Sequence, residues 1–425
     1  MLNEDATRAV AAARIDENLG KPLYDTYGFT GIPKLVRHVL TGEGSLGLPA
    51  SVLEGLPKRY DKVVLFLLDG FGWRFFSKYA DRYPLLTRFV ERGVASKLTT
   101  QFPSTTTTHI ATLHTGLPVE ETGMFEWWYY EPSLDRVFAP LPFLVQGERA
   151  TTPAYATSPH ALEQLFPTRT VYRDLGDAGV KSYCLQHRSQ ASSTFSRVVT
   201  TGATSVPFRT LPEGMVNLTE LVAREKEKAY FCVYVDVVDG ISHAHGPTSR
   251  QVEVEIEMLL HLLESVVHAS FEGQLERTLL LVTADHGQTA VSSEKAIYLD
   301  ERVPQLAQWS RATEEGWPLA PAGGPRDMFL YIRDPHLDEA AGTLEEALRG
   351  EASVFRTSQL LAEGYFGPRP SKRLTDRLGN LVVLPHGDGL VWWRDKGRYD
   401  LRYKGHHGGL SANEMETLLL AYAYD

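Results

Sequence analysis

Several short stretches of this chain carry side chains that could hold a divalent cation or a phosphoryl group. They are Asp69-Gly70, the run Ser104-Thr105-Thr106-Thr107-Thr108-His109, Asp239 through His243 to His245, Asp285-His286-Gly287 and His406-His407-Gly408. Carboxylates and imidazoles without thiolates form an oxygen and nitrogen donor set, which favours zinc, with manganese as the main rival. The hydroxyl run stands just ahead of a helical pattern. Free N–H groups and the positive end of the helix dipole attract phosphate-like anions there. Taken singly, each stretch has a plainer role. Asp69 could cap a helix, Asp285-His286-Gly287 could close a turn, and the threonines could end a strand. Taken together, they point to metal-assisted chemistry on a phosphate.

The elements that must position these residues are legible as apolar runs. Residues 62–68 fit a parallel strand covered on both faces, and that strand ends on Asp69. In open α/β sheets, ligands gather outside the carboxyl ends of strands. An alternation follows: helix 84–92, strand 96–101, a short helix ending at Gly116, helix 171–178, strand 181–185, helix 216–226, strand 229–236, helix 252–268 and strand 278–284. It predicts an α/β fold, a three-layer sandwich around a mostly parallel sheet with right-handed crossovers. Residues 1–58 are expected to pack on the core as an N-terminal segment. Residues 59–310 and 401–425 would form the metal-binding core, and 311–400 a small α+β insert. Residues 415–422 suit either a helix or a strand. The aromatic and proline-rich stretch 125–168 fits neither period and reads as a lid-like connection near the site.

Composition narrows the class. At 425 residues and 43% hydrophobic, the chain can bury a large core. A formal charge of −10 argues against stable nucleic-acid binding by phosphate neutralisation. Cys184 and Cys232 each lie in an apolar run and suggest neither a disulfide framework nor a metal knuckle. Charges occupy the positions where a signal peptide needs an apolar core, and no stretch reaches membrane-span length. A cytoplasmic protein without a membrane partner is the expectation.

In their order along the chain, the motifs resemble the alkaline phosphatase superfamily, and within it the type I phosphodiesterase and nucleotide pyrophosphatase branch. The motifs are Leu68-Asp69-Gly70, Phe-Pro-Ser-Thr-Thr with Thr115-Gly116 downstream, Asp239-x-x-Ser-His243-x-x-Gly-Pro, Asp285-His286-Gly287 and His407-Gly408. The resemblance implies an alkaline-phosphatase-like fold and two divalent ions per chain. Asp239, His243 and His407 would hold one ion; Asp69, Asp285, His286 and the Thr106 oxygen would hold the other. It also implies Thr106 as nucleophile, because the family's nucleophile lies three residues after the proline and nine before the Thr of Thr-Gly. Attack on phosphorus would form a phospho-threonine that water then hydrolyses. His109 stands where these diesterases commonly have Asn, which makes it a possible phosphate contact. The Cys-x-Pro-x-Arg signature of sulfatases is absent.

For the substrate, Phe71, Trp127, Trp128 and Tyr129 are candidate contacts, and no Arg or Lys lies between Thr106 and Tyr130. An apolar surface without cations suits a small-molecule phosphodiester or nucleotide. A basic residue arriving from elsewhere, such as Lys97, Arg188 or Lys404, would reverse that preference. A phosphomonoesterase, phosphonate hydrolase or phosphomutase would use the same centre, and a silent metal-dependent binding protein is the reading from another class.

Overall fold

The structure, a computed structural model, describes residues 1–146, 159–395, 397 and 399–425. The apolar runs form a seven-stranded central sheet: β1 (Lys62–Leu68), β2 (Val94–Thr99), β3 (Lys181–His187), β4 (Thr204–Phe208), β5 (Ala229–Val235), β6 (Thr278–Thr283) and β7 (Glu416–Tyr424). Their order across the sheet is β2-β7-β6-β1-β5-β3-β4. Neighbours run parallel except β7, which is antiparallel to both β2 and β6. The stretch open to two readings from sequence is therefore a strand.

Alternation along β1 explains the layers. Val63, Leu65 and Leu67 join one apolar cluster with Ile32, Leu35, Ile110 and Val171. Val64, Phe66 and Leu68 join the other with Phe75, Leu85, Met215 and Ile256. Helices thus cover both faces, as a sheet buried on both sides requires. Each fully buried leucine contributes about 1.5–3 kcal/mol. Residues 1–58 pack on the first face through Ala6, Val10 and the helix Ile32–Thr41.

The insert is built on a four-stranded antiparallel sheet, ordered Ala322–Gly324, Asp327–Leu330, Leu381–Pro385, Ala352–Arg356. Its alternation is two-sided. Met328, Leu330, Leu381 and Val383 pack into a small core of their own, whereas Phe329, Tyr331, Val382 and Leu384 reach into the main one.

The aromatic connection contains regular structure of its own. Tyr129–Glu131, Arg136–Ala139 and Leu144–Val145 form a three-stranded antiparallel sheet whose Phe138 and Phe143 are buried. Part of the expected connection, 147–158, lies outside the described residues. A buried ion pair fastens this sheet to the insert: Arg377 lies 2.6 Å from Glu131, with side chains 2% and 5% exposed. Arg377 also donates to the carbonyls of Gly123 and Leu165. Arg377→Met leaves the Glu131 carboxylate buried without its partner. It should destabilise the protein by about 3–5 kcal/mol, read as a lower denaturation midpoint at unchanged slope.

Candidate metal centre and nucleophile

Three neighbouring strands deliver the acids. β1 lies between β6 and β5, with Leu68 opposite Val235 and Leu67 opposite Thr283. Asp69, Asp285 and Asp239 follow these strands at one edge. Asp239 sits in the first turns of α1 (Val237–His245), which carries His243 one turn further on. Because β7 runs antiparallel, the segment entering it arrives at the same edge and brings His407. Gly70 is required where it stands: its φ is +72°, and a Cβ there would lie 3.1 Å from the Asp239 Cα.

The imidazoles are oriented alike. His243 Nδ1 donates to the Gly405 carbonyl at 2.8 Å, His286 Nδ1 to Gly287 at 3.0 Å and His407 Nδ1 to Ser104 at 3.0 Å. A carbonyl can only accept, so each ring keeps its proton on Nδ1 and turns the Nε2 lone pair inward. His286 Nε2 lies 3.3 Å from Asp69 and 3.4 Å from Asp285. His243 Nε2 lies 3.4 Å from Asp239, and His407 Nε2 lies 3.7 Å from it. Two ligand groups result, Asp69/Asp285/His286 and Asp239/His286/His407, with donor atoms within 4.8 Å of one another in each. His286 is common to both, and its ring stacks on His407 with centroids 3.5 Å apart.

The electrostatics fit cations. Burial, then Asp285 and Asp239, push the Asp69 carboxyl well above its usual range. Burial raises Asp285 as well. Burial also opposes ionisation of Asp239, but His243, His407 and His286 outweigh it and hold its pKa down. Burial drives His407 well below the usual imidazole value. Asp69 Oδ1 and Asp285 Oδ2 are buried with no hydrogen-bond partner among the described residues. Such orphaned carboxylate oxygens are costly unless a cation completes them. Other partners hold the remaining oxygens. Tyr234 donates to Asp69 Oδ2, Gln288 to Asp239 Oδ1, and the Gly70 N–H to Asp285 Oδ1 at 3.1 Å.

The hydroxyl run opens a helix, α2 (Thr106–Thr115), capped at its far end by Gly116. Its members have distinct tasks. Ser104 Oγ donates to the Gly409 carbonyl, and its own backbone bonds Gly408 and His407, tying the run to the His407 loop. Thr105 and Thr108 donate to the Phe125 carbonyl. Thr106 is only partly buried, and its Oγ1 lies 3.1 Å from His286 Nε2. It stands at the first turn of α2, where the helix dipole favours an anion.

A cavity of about 800 Å³ opens over this centre, lined by Thr106, Asp239, His243 and His407 together with aromatic rings. Trp127 and Trp128 face it, joined by Trp392, Tyr399 and Tyr403 from the far end of the chain. Three sequence candidates lie elsewhere. His109 is fully buried with both nitrogens engaged: Nδ1 donates to Thr105 O at 2.7 Å, and Nε2 accepts from Gln101 N at 2.8 Å. Burial lowers its pKa to about 3, so it is a neutral structural ring rather than a phosphate contact. Tyr129 and Phe71 are fully buried too; Tyr129 stacks on Phe125 and Phe71 on Phe75. Aromatic identity gave no direction at either position. Of the basic residues named from sequence, Lys97 is paired with Glu416 at 2.8 Å, whereas Arg402, not singled out, lines the cavity. Glu126 also lines it, in contact with Asp327. Nothing in the sequence linked those two acids.

Known proteins share this fold at low identity. The chain is 21% identical over 246 residues to ectonucleotide pyrophosphatase/phosphodiesterase family member 1 of Rattus norvegicus. That match takes in 56% of this chain but only 25% of the relative's length. Murine ectonucleotide pyrophosphatase/phosphodiesterase 5, solved as an inactive variant in complex with AMP, superposes with a TM-score of 0.63 at 18% identity, covering 85% of this chain and 87% of that one. Phosphonoacetate hydrolase from Sinorhizobium meliloti, solved with phosphonoacetate, gives 0.58 at 18% identity, covering 84% and 89%. The sequence profile of one family matches residues 63–410, and the chain belongs to that family, type I phosphodiesterase / nucleotide pyrophosphatase.

Proposed function

We propose that the chain is a divalent-metal-dependent hydrolase that cleaves phosphate diester or phosphoanhydride bonds through Thr106. The observation that carries this reading is the Thr106 hydroxyl at a helix N-terminus, 3.1 Å from the imidazole common to both ligand groups. Asp239, His243 and His407 would hold one ion, and Asp69, Asp285, His286 and Thr106 the other. Zinc suits the mixed oxygen and nitrogen set, with manganese as its rival. Bound there, the ions would supply Lewis acidity, making the hydroxyl a competent nucleophile and neutralising charge on the phosphoryl group.

The chain's own residues then account for the course of the reaction. Thr106 Oγ attacks phosphorus, the bond to the leaving oxygen breaks, and the leaving group departs with a proton. The phospho-threonine is cleaved by water, returning the hydroxyl. The Nδ1 bonds to backbone carbonyls keep the three imidazoles in one tautomer throughout. The first turn of α2 holds the phosphoryl oxygens against its dipole.

The second ester group would rest against Trp127 and Trp128. Trp128→Ala should reduce the ratio of kcat/KM on bis-p-nitrophenyl phosphate to that on p-nitrophenyl phosphate by about tenfold, the equivalent of one lost stacking contact of about 1–1.5 kcal/mol. An unchanged ratio with a lower Tm would make the ring a packing element instead. Arg402 favours a second reading. A cation on the cavity wall suits a substrate with another anionic group, as in an anhydride or a carboxylated phosphonate. Rates on a dinucleotide, on both nitrophenyl esters and on phosphonoacetate, for wild type and Arg402→Met, separate the two.

A further inference from the structure

Glu126 and Asp327 form an acid pair that the reaction above does not use. Glu126 lines the cavity beside Trp127 and accepts the Trp127 backbone N–H on Oε2. Asp327 is fully buried on the insert hairpin. Its Oδ1 accepts the Gly324 N–H at 3.2 Å, and its carboxyl meets that of Glu126. Two glycines let the backbone close on the pair. A Cβ on Gly324 would lie 3.2 Å from Asp327 Oδ1 and 3.5 Å from Glu126 Oε1. Gly408, at φ +123°, would place one 2.5 Å from Asp327 Oδ1.

Among the described residues, no lysine or arginine pairs with these carboxyls, and the nearby His406 ring, 3.7 Å from the same Gly324 Cβ position, commits its Nδ1 to the His407 carbonyl. Arg326 is adjacent in sequence, but its guanidinium is committed to Glu414 at 3.0 Å and to the carbonyls of Gly387 and Gly389. Neither acid belongs to the two metal-ligand groups. Buried carboxyls without a cation are more costly than apolar side chains of the same volume. Here Glu126 borders a cavity walled by Trp127, Trp128, Trp392 and Tyr403, whose ring faces attract cations, with Asp327 behind it.

We propose that Glu126, braced by Asp327, is a specificity-determining residue that receives a primary ammonium group on an ester substituent of the substrate. The ammonium supplies several N–H donors, enough for both acids, and its charge lets the pair ionise in place. The inference rests on the phosphodiesterase reading.

The test compares p-nitrophenyl 2-aminoethyl phosphate with p-nitrophenyl propyl phosphate, which differ by one heavy atom. Wild-type enzyme should favour the aminoethyl ester in kcat/KM by about tenfold or more, and Glu126→Gln should bring the ratio to about one. Asp327→Asn should lower it as well, and circular dichroism checks that both variants fold. The wild-type ratio stands without any variant. Cleavage of both esters at equal rates, or a preference that survives Glu126→Gln, overturns the inference alone. Cleavage of neither overturns the phosphodiesterase reading and the inference with it.

Discussion

Thr106→Ala will reduce diester turnover by about a thousandfold or more, while far-ultraviolet circular dichroism and the melting transition stay close to wild type. The substitution removes the attacking oxygen and one proposed cation ligand together. Losing a nucleophile costs several orders of magnitude where the rest of the site can only bind and polarise substrate. The side chain is partly exposed, so the fold has little to lose. Of the neighbouring hydroxyls, Ser104 is engaged with Gly409 and Thr105 and Thr108 with Phe125, whereas Thr107 Oγ1 is buried without a hydrogen-bond partner among the described residues and is the rival that Thr107→Ala tests. Ser104→Ala should therefore act through the position of His407 and retain measurable turnover. If Thr106→Ala keeps most of its rate, the nucleophile lies elsewhere in the run.

The second large effect concerns the cations. Dialysis against a chelator should abolish activity, and reloading with zinc or manganese should restore it. Elemental analysis should then return two ions per chain; fewer than one overturns the two-ion arrangement. Stability gives a readout independent of turnover. At free metal about a thousandfold above Kd, a bound ion adds about 4 kcal/mol to the folded state. The melting temperature should rise with metal concentration in wild type and less so in Asp285→Asn. That variant keeps the shape of the site but neutralises one of the two proposed ligand carboxylates, Asp69 and Asp285, that have a buried oxygen without a partner among the described residues.

Local chemistry carried most of the site in the sequence. Asp69, Asp285 and Asp239 follow apolar runs whose alternation with helical patterns fits buried parallel strands, and adjacency of β6, β1 and β5 brings those ends together. Direction was less legible. β4 went unread because Thr204–Phe208 is a largely exposed edge strand with a proline in it, so it lacks the continuous apolar signal of its neighbours. β7 is nearly all buried, and a short apolar run without polar alternation does not distinguish strand from helix. Tyr129 and Phe71 share the aromatic character of Trp127, yet pleat and turn aim them into the core. The Glu126–Asp327 pair depends on where the insert folds back, which no local pattern specifies.

The antiparallel strand has a consequence for how copies of this protein are made. β7 is an interior strand, paired on both sides, yet it follows every other strand of the sheet in sequence. A polypeptide on the ribosome whose synthesis has not passed residue 416 has β2 detached from the sheet, β6 with a bare flank and the His407 loop unanchored. Unpaired edges of that kind recruit other chains. Interrupted translation should therefore yield insoluble fragments rather than weakly active ones. Capture of metal by the full ligand set has to wait until residues 405–424 have been added.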